Sequence, residues 1–216
     1  MNSFLKAKEA IDKAGFLLVF PIRNADHPNS LWNVFHPNSL LRWEWDTTGD
    51  RRVFDLWTLR EQLAQSREVV YGKYDQGRAT FFSKAVFRDL LTIRLAAKSL
   101  PLSYEAKRIR HFLEMDSPLS TKDLKNLSGL KGKFLEPQFH RVMKELWSSL
   151  QIVGLGEVDD GAFPSLAHGA TQTVFEDLWN EAVSAELADA WMRLCDVPDF
   201  EWLLKRLLMG WASDSE

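Results

Sequence analysis

Apolar residues recur at every third or fourth position along most of this chain, which is the spacing of helices that bury one face. The predicted helices cover residues 4–14, 54–67, 84–98, 104–115, 121–129, 137–150, 173–194 and 200–209. Shorter apolar runs lie between them and predict strands or extended chain at 16–20, around 43–45, within 69–82, at 151–158 and from 162 onward. The fold class is therefore mainly α with small β elements, that is, α+β.

Polar residues that commonly cap helices mark several of these boundaries. Ser3 is placed to cap the first helix, and Asp199 is placed to cap the last one. Thr173 and Glu176 have the spacing of a capping box, which predicts that a single long helix runs from there to Leu194.

The chain is expected to divide into three regions. Pro101 lies in the best candidate boundary, a short segment between two predicted helices. This predicts a mixed region over 1–103, a module over 104–166, and C-terminal helices over 167–216 that pack back on the body.

The middle region has the order of signals of a winged helix. A helix over 104–115 is broken at Ser117, and Ser120 begins a capping-box start for a short second helix. Pro137 stands where the first turn of a third helix tolerates proline, and an apolar stripe follows. A strand over 151–158 and a turn after it predict a hairpin.

In DNA-binding winged helices, the third helix enters the major groove. Positive charge near this helix predicts phosphate contacts without sequence preference, made by Lys131, Lys133, His140, Arg141 and Lys144. Double-stranded DNA is therefore the expected partner. A solvated helix face is the alternative reading of the same residues. A protein-interaction module is another, and the sequence does not identify its partner.

Charge is unevenly distributed along the chain. Residues 1–150 carry 24 Lys and Arg against 17 Asp and Glu, whereas residues 151–216 carry 3 against 13. A basic body with an acidic tail suits a protein that meets an anion on one face, although solvated acidic helices would give the same division.

Composition excludes several other classes. The single cysteine, Cys195, excludes a disulfide framework and a thiolate metal cluster. His27 and His36 belong to two His-Pro-Asn-Ser-Leu turns and have no further ligand at suitable spacing, so no metal site is expected. No cofactor motif is recognisable.

The N-terminal segment is an amphipathic helix rather than a signal peptide, and no apolar run approaches the roughly 20 residues needed to span a bilayer. A cytoplasmic protein is expected.

Three stretches together resemble the AlkZ/YcaQ-like DNA glycosylases. Arg51–Trp57 resembles the family's basic, Val-Phe, acid and Trp segment, and Ala14–Phe20 resembles its Leu-Gly-Phe-Val-Gln-Ile-Asp segment. Residues 109–157 resemble its winged helix, including the Pro-Leu-Ser start of the second helix. The resemblance implies a compact relative that handles DNA.

The chain departs from the family at the residues that carry catalysis. The family's Gln-x-Asp or Gln-x-Gln motif falls on Leu18 and Phe20, and Leu59 stands where the family has a His. Leu and Phe cannot activate water or stabilise charge on a sugar. The resemblance therefore implies a DNA-binding relative without the family's catalytic motif.

Two alternatives stay open beside this reading. An active glycosylase would use other polar residues near the same segment, for which the candidates are Asp46, Asp50, Asp55, Arg60 and Arg78. A winged helix without DNA would serve as a protein-interaction module.

The apolar run over 16–20 is expected to be packed rather than to line a polar pocket.

Overall fold

The structure is a computed structural model that describes residues 2–42, 51–97, 102–160 and 164–208. The predicted alternation at Trp43 and Trp45, the turn before Arg51 and the start of the return strand at 162–163 lie outside these residues. The helices are α1 (Ser3–Ala14), α2 (Leu31–Phe35), α3 (Arg51–Ser66), α4 (Lys84–Ala96), α5 (Tyr104–Met115), α6 (Thr121–Ser128), α7 (Glu136–Ser148), α8 (Thr171–Val174), α9 (Glu176–Ser184), α10 (Leu187–Cys195) and α11 (Phe200–Leu208).

One antiparallel sheet joins strands of the N-terminal region to strands of the middle region. Its strands are β1 (Phe16–Leu18), β2 (Val70–Gly72), β3 (Thr80–Phe82), β4 (Leu119–Ser120), β5 (Ile152–Val158) and β6 (Ser165–Ala170). They are arranged in the order β1-β3-β2-β5-β6-β4. The class predicted from the sequence, mainly α with small β elements, is confirmed.

The N-terminal strands are buried on both faces, which explains why they read as continuous apolar runs. Phe16 pairs with Phe82 and packs towards α4, whereas Leu17 pairs with Phe81 and packs towards α1 and α3. Because side chains alternate across a strand, two helical layers cover one sheet. The burial expected for the segment is confirmed from Phe16 to Val19.

The first helix begins one residue earlier than the sequence indicated. The Asn2 side chain accepts a hydrogen bond from the Phe4 N–H at 3.0 Å, so Asn2 rather than Ser3 is the N-cap. Gly15 ends the helix with φ of 79°, as expected of a C-terminal glycine.

The predicted order of three helices and a hairpin over the middle region is observed. The N-terminus of α5 is capped by Ser103, and α6 has the predicted capping box between Ser120 and Asp123. α7 packs on α5, and β5 and β6 follow as an antiparallel hairpin. Sequence reasoning missed β4, a two-residue strand that pairs with the end of β6.

The hairpin joins the N-terminal strands through a single close pairing. Tyr71 of β2 lies opposite Gly154 of β5. A Cβ on Gly154 would be 2.1 Å from the Tyr71 ring, so only glycine leaves room for this crossing.

The prediction of one long helix near the C-terminus is wrong. The chain forms α8, α9 and α10, with breaks at Phe175 (ψ 55°) and Ala185 (ψ 145°). The Phe175 ring is buried in the core beside α4, and both α9 and α10 pack on α4. A straight helix could not place both segments on α4, so packing overrides the local helical pattern.

Asp199 directly precedes α11, but its carboxylate makes a tertiary contact. It lies 2.9 Å from His27 Nδ1 and accepts a hydrogen bond from the Asn29 N–H at 3.3 Å. The side chain predicted to cap a helix therefore fixes the first His-Pro-Asn turn against the C-terminal helices.

Candidate nucleic-acid interface

α7 presents a basic outer face. Its inner face is buried with α5, α6 and the start of β5 in one apolar cluster. Helical spacing therefore turns residues 140, 141 and 144 outward. All the predicted contact residues are exposed: Lys131, Lys133, His140, Arg141 and Lys144.

The connection between α6 and α7 is a hydrogen-bonded turn. The Gly132 carbonyl accepts hydrogen bonds from the N–H groups of Leu135 and Glu136 at 3.0 and 3.1 Å. Gly132 has φ of 112°, a conformation that side chains rarely adopt. The turn holds Lys131 and Lys133 at the surface beside the start of α7.

The two acidic residues of α7 are engaged locally. The Glu136 carboxylate accepts a hydrogen bond from Lys125 Nζ at 2.6 Å and lies 3.1 Å from His140 Nε2. The Lys125 hydrogen bond lowers the pKa of Glu136. Glu145 turns towards α5 and accepts from the Ser103 hydroxyl at 2.6 Å.

These contacts separate the predicted residues into two groups. His140 shares Glu136 with Lys125, so it is not a free cation on this face. Among the described residues, no carboxylate pairs with Lys131, Lys133 or Arg141. The uncompensated charge therefore lies on the connection and on the first turns of α7.

An aromatic side chain in the same connection was not predicted. Phe134 is 97% exposed, directly after Lys133. The sequence feature that could have identified it is its position. Phe134 lies outside the apolar stripe of α7, in the glycine-containing connection just before that helix begins.

Leu18 and Phe20, the positions that the resemblance to the glycosylases singled out, are apolar and largely enclosed. Leu18 is fully buried in β1. Phe20 is half-buried, with its ring centroid 6.4 Å from that of Trp32 and 6.5 Å from that of Trp57. These side chains offer no atom that could accept or donate a proton.

A largely buried ion pair lies beside Trp57. The Arg60 guanidinium stacks 3.9 Å from the centroid of the Trp57 ring and donates a hydrogen bond to Glu157. A bulge in β5 at Gly156, with φ of 97°, positions Glu157 for this contact. A Cβ on Gly156 would be 2.7 Å from the Gln65 side chain, so α3 and β5 approach closely here.

The sequence model of a protein family described as AlkZ related matches residues 1–196. The chain belongs to the AlkZ-related family. Comparisons with curated proteins and with solved structures gave no match.

Three of the polar residues considered as substitutes for catalysis are described in this AlkZ-related chain, and each pairs with a different residue. Arg60 pairs with Glu157, Arg78 donates to Asp75 at 2.8 Å, and the exposed Asp55 lies 3.9 Å from Arg51. Two further candidates, Asp46 and Asp50, lie outside the described residues.

Burial shifts the proton affinity of three groups near the junction of β2, β5 and β6. Burial raises the pKa of Tyr71. Burial, together with the charge of Arg60, lowers the pKa of Lys73. Burial and then the charge of Lys73 lower the pKa of His168 to about 3, so this imidazole is neutral at physiological pH.

A separate cleft of about 590 Å³ lies between α4 and α9 in the AlkZ-related fold. Its charged lining combines three bases and three acids, namely Arg67, Lys84, Arg88, Glu176, Asp177 and Glu181. Because these charges balance, the lining favours neither an anionic nor a cationic ligand. The cleft contains none of the predicted contact residues.

No helix in the described ranges is long and apolar enough to cross a membrane. The same residues contain no group of three or more His, Cys, Asp or Glu side chains arranged to hold a metal ion.

Proposed function

We propose that this AlkZ-related chain binds double-stranded DNA without sequence preference, through α7 and the connection that precedes it. The observation that carries the proposal is a group of exposed cations, Lys131, Lys133 and Arg141, that have no carboxylate partner among the residues the structure describes. Lys and Arg side chains on an exposed surface bind phosphate oxygens and release counterions from the duplex.

The order of α5, α6, α7 and the β5–β6 hairpin supports a winged-helix role for this region. In that arrangement the third helix lies in the major groove and the hairpin lies beside it. Lys122 at the start of α6 donates a hydrogen bond to the Asp160 carbonyl at 2.6 Å, which holds the hairpin end against the helices.

The second part of the proposal is that the chain does not excise bases by the family mechanism. Leu18 and Phe20 have no polar side-chain atoms, and water activation requires one. The apolar packing of Leu18 supports this reading, because a fully buried side chain has no access to solvent or substrate.

A salt titration tests DNA binding. Fluorescence polarisation with a labelled duplex should show affinity falling about 40-fold between about 50 and 200 mM salt if three phosphates are neutralised. Reversing Lys133 and Arg141 together to Glu should weaken binding and reduce the slope of log affinity against log salt by about 2.

The matched control is Lys205→Glu, an exposed charge reversal on α11. Two unrelated duplexes of equal length should bind equally well. Unchanged affinity after reversal of Lys131, Lys133 and Arg141 would overturn the proposal, because it would place any DNA contact on another surface.

A further inference from the structure

Phe134 is the most exposed of the large apolar side chains in the described part of the chain, at 97%. Because an exposed phenyl ring gives up the free energy of burial, folding alone does not favour a Phe at this position. The ring therefore points to a contact outside the fold.

The connection that carries Phe134 combines positive charge with an exposed apolar ring. Lys131 and Lys133 lie in the same connection and have no carboxylate partner among the described residues. A ligand that fits this surface must carry negative charge and present an apolar face within a few ångströms of it.

The backbone that carries Phe134 is held in a hydrogen-bonded turn before any ligand arrives. The Gly132 carbonyl receives two hydrogen bonds from the residues that follow Phe134. A short closed turn limits the conformational entropy lost when the ring makes a contact. The ring therefore projects from a defined turn that is fixed to the start of α7.

Nucleic acid has both required properties, since phosphates are anionic and the faces of bases are apolar. In an intact duplex the base faces are already stacked, so an aromatic side chain gains a partner only where a base is unpaired or a step opens. Resting on the proposed DNA binding, we propose that Phe134 stacks on an unpaired base, so that the chain prefers duplexes containing a bulged base.

The experiment compares two duplexes of the same sequence, one intact and one with a single extra 2-aminopurine. The bulged duplex should bind about tenfold more tightly to the unaltered protein, which is within the range found for one stacked base. Stacking of Phe134 should also quench 2-aminopurine fluorescence on binding.

Phe134→Ala should lose the preference and the quenching but keep the affinity for intact duplex and its salt dependence. Phe134→Trp should keep the preference, because an indole ring also stacks. Met192→Ala, which removes a 61% exposed side chain from α10, is the control and should change nothing. Since Phe134 makes no buried contact, its variants should have the melting temperature of the unaltered protein.

The outcomes separate the inference from the proposed function. Binding to both duplexes with an unchanged preference in Phe134→Ala, or with no preference in the unaltered protein, overturns the stacking role and leaves DNA binding standing. Absence of binding to either duplex overturns DNA binding and the stacking role together.

Discussion

Arg60 and Glu157, which are 97 residues apart in the sequence, form an ion pair that joins α3 to the bulge of β5. The Arg60 side chain is 5% exposed and that of Glu157 is 20% exposed. The guanidinium also stacks on Trp57 and lies 3.5 Å from the Tyr71 hydroxyl. The pair therefore fixes α3 onto the hairpin of the middle region.

Glu157→Gln is expected to lower the free energy of unfolding by about 3 kcal/mol, because it leaves the Arg60 charge buried without a counter-charge. Chemical denaturation measures the difference. The control is Asp12→Asn, which breaks the exposed Lys8–Asp12 pair and should cost less than about 1 kcal/mol. Replacing both Arg60 and Glu157 with Met should restore part of the loss. Equal costs for Glu157→Gln and the control would contradict the prediction.

Stability is expected to fall in mild acid because His168 is buried in its neutral form. Its pKa in the folded chain is about 3, below the usual value of 6.5, so the unfolded chain binds the proton more readily. The free energy of unfolding should therefore rise from pH 3 to pH 6.5 and be independent of this group above that. Between pH 6.5 and pH 5 the change is about 2 kcal/mol.

Urea denaturation at pH 5 and pH 7.5 checks this dependence. His168→Gln should reduce the difference between the two pH values. His111→Gln, at an exposed position on α5, should leave it unchanged. A difference of the same size in both variants would show that other groups cause the acid sensitivity.

Gly154→Ala is expected to be far more destabilising than Gly72→Ala, although both glycines lie in the same sheet. A Cβ at Gly154 would be 2.1 Å from the Tyr71 ring, whereas one at Gly72 would be 3.4 Å from Phe82. The Tyr71 ring is buried and packs against Trp147 and Phe81. The expected costs are about 3 kcal/mol and about 1 kcal/mol or less. Thermal melting of the two variants side by side measures them, and similar melting temperatures would count against the close crossing of β2 and β5.

The purified protein is expected to leave alkylated duplex DNA intact. Strand cleavage at abasic sites after incubation with the alkylated duplex measures excision. Robust turnover would contradict the prediction.

Leu18 and Phe20 should also respond differently to replacement by a polar residue. Leu18→Gln places an amide at a fully buried site and should cost about 2 kcal/mol or more unless it finds hydrogen-bond partners. Phe20→Asp changes a half-buried side chain and should be better tolerated. Comparing their denaturation midpoints shows whether either position still opens to solvent, and equal tolerance would argue that Leu18 is accessible.

The sequence by itself determined the elements whose signals are local. Ser103, Ser120 and Gly15 end or begin helices where the pattern predicted, because capping bonds join residues only a few positions apart. The apolar stripe of α7 likewise identified its buried face, and thereby the outward direction of Arg141. The family followed from short motifs spread along the same chain.

Tertiary structure alone decided the features that depend on distant partners. The break at Phe175 follows from packing on α4, and the pairing of Glu157 with Arg60 follows from the bulge in β5. Helical periodicity records which side of an element is apolar, but not which distant surface covers it. For the same reason the position of Phe134 outside the apolar stripe of α7 did not by itself establish its exposure: whether a ring in a connection is covered depends on what the whole fold places over it.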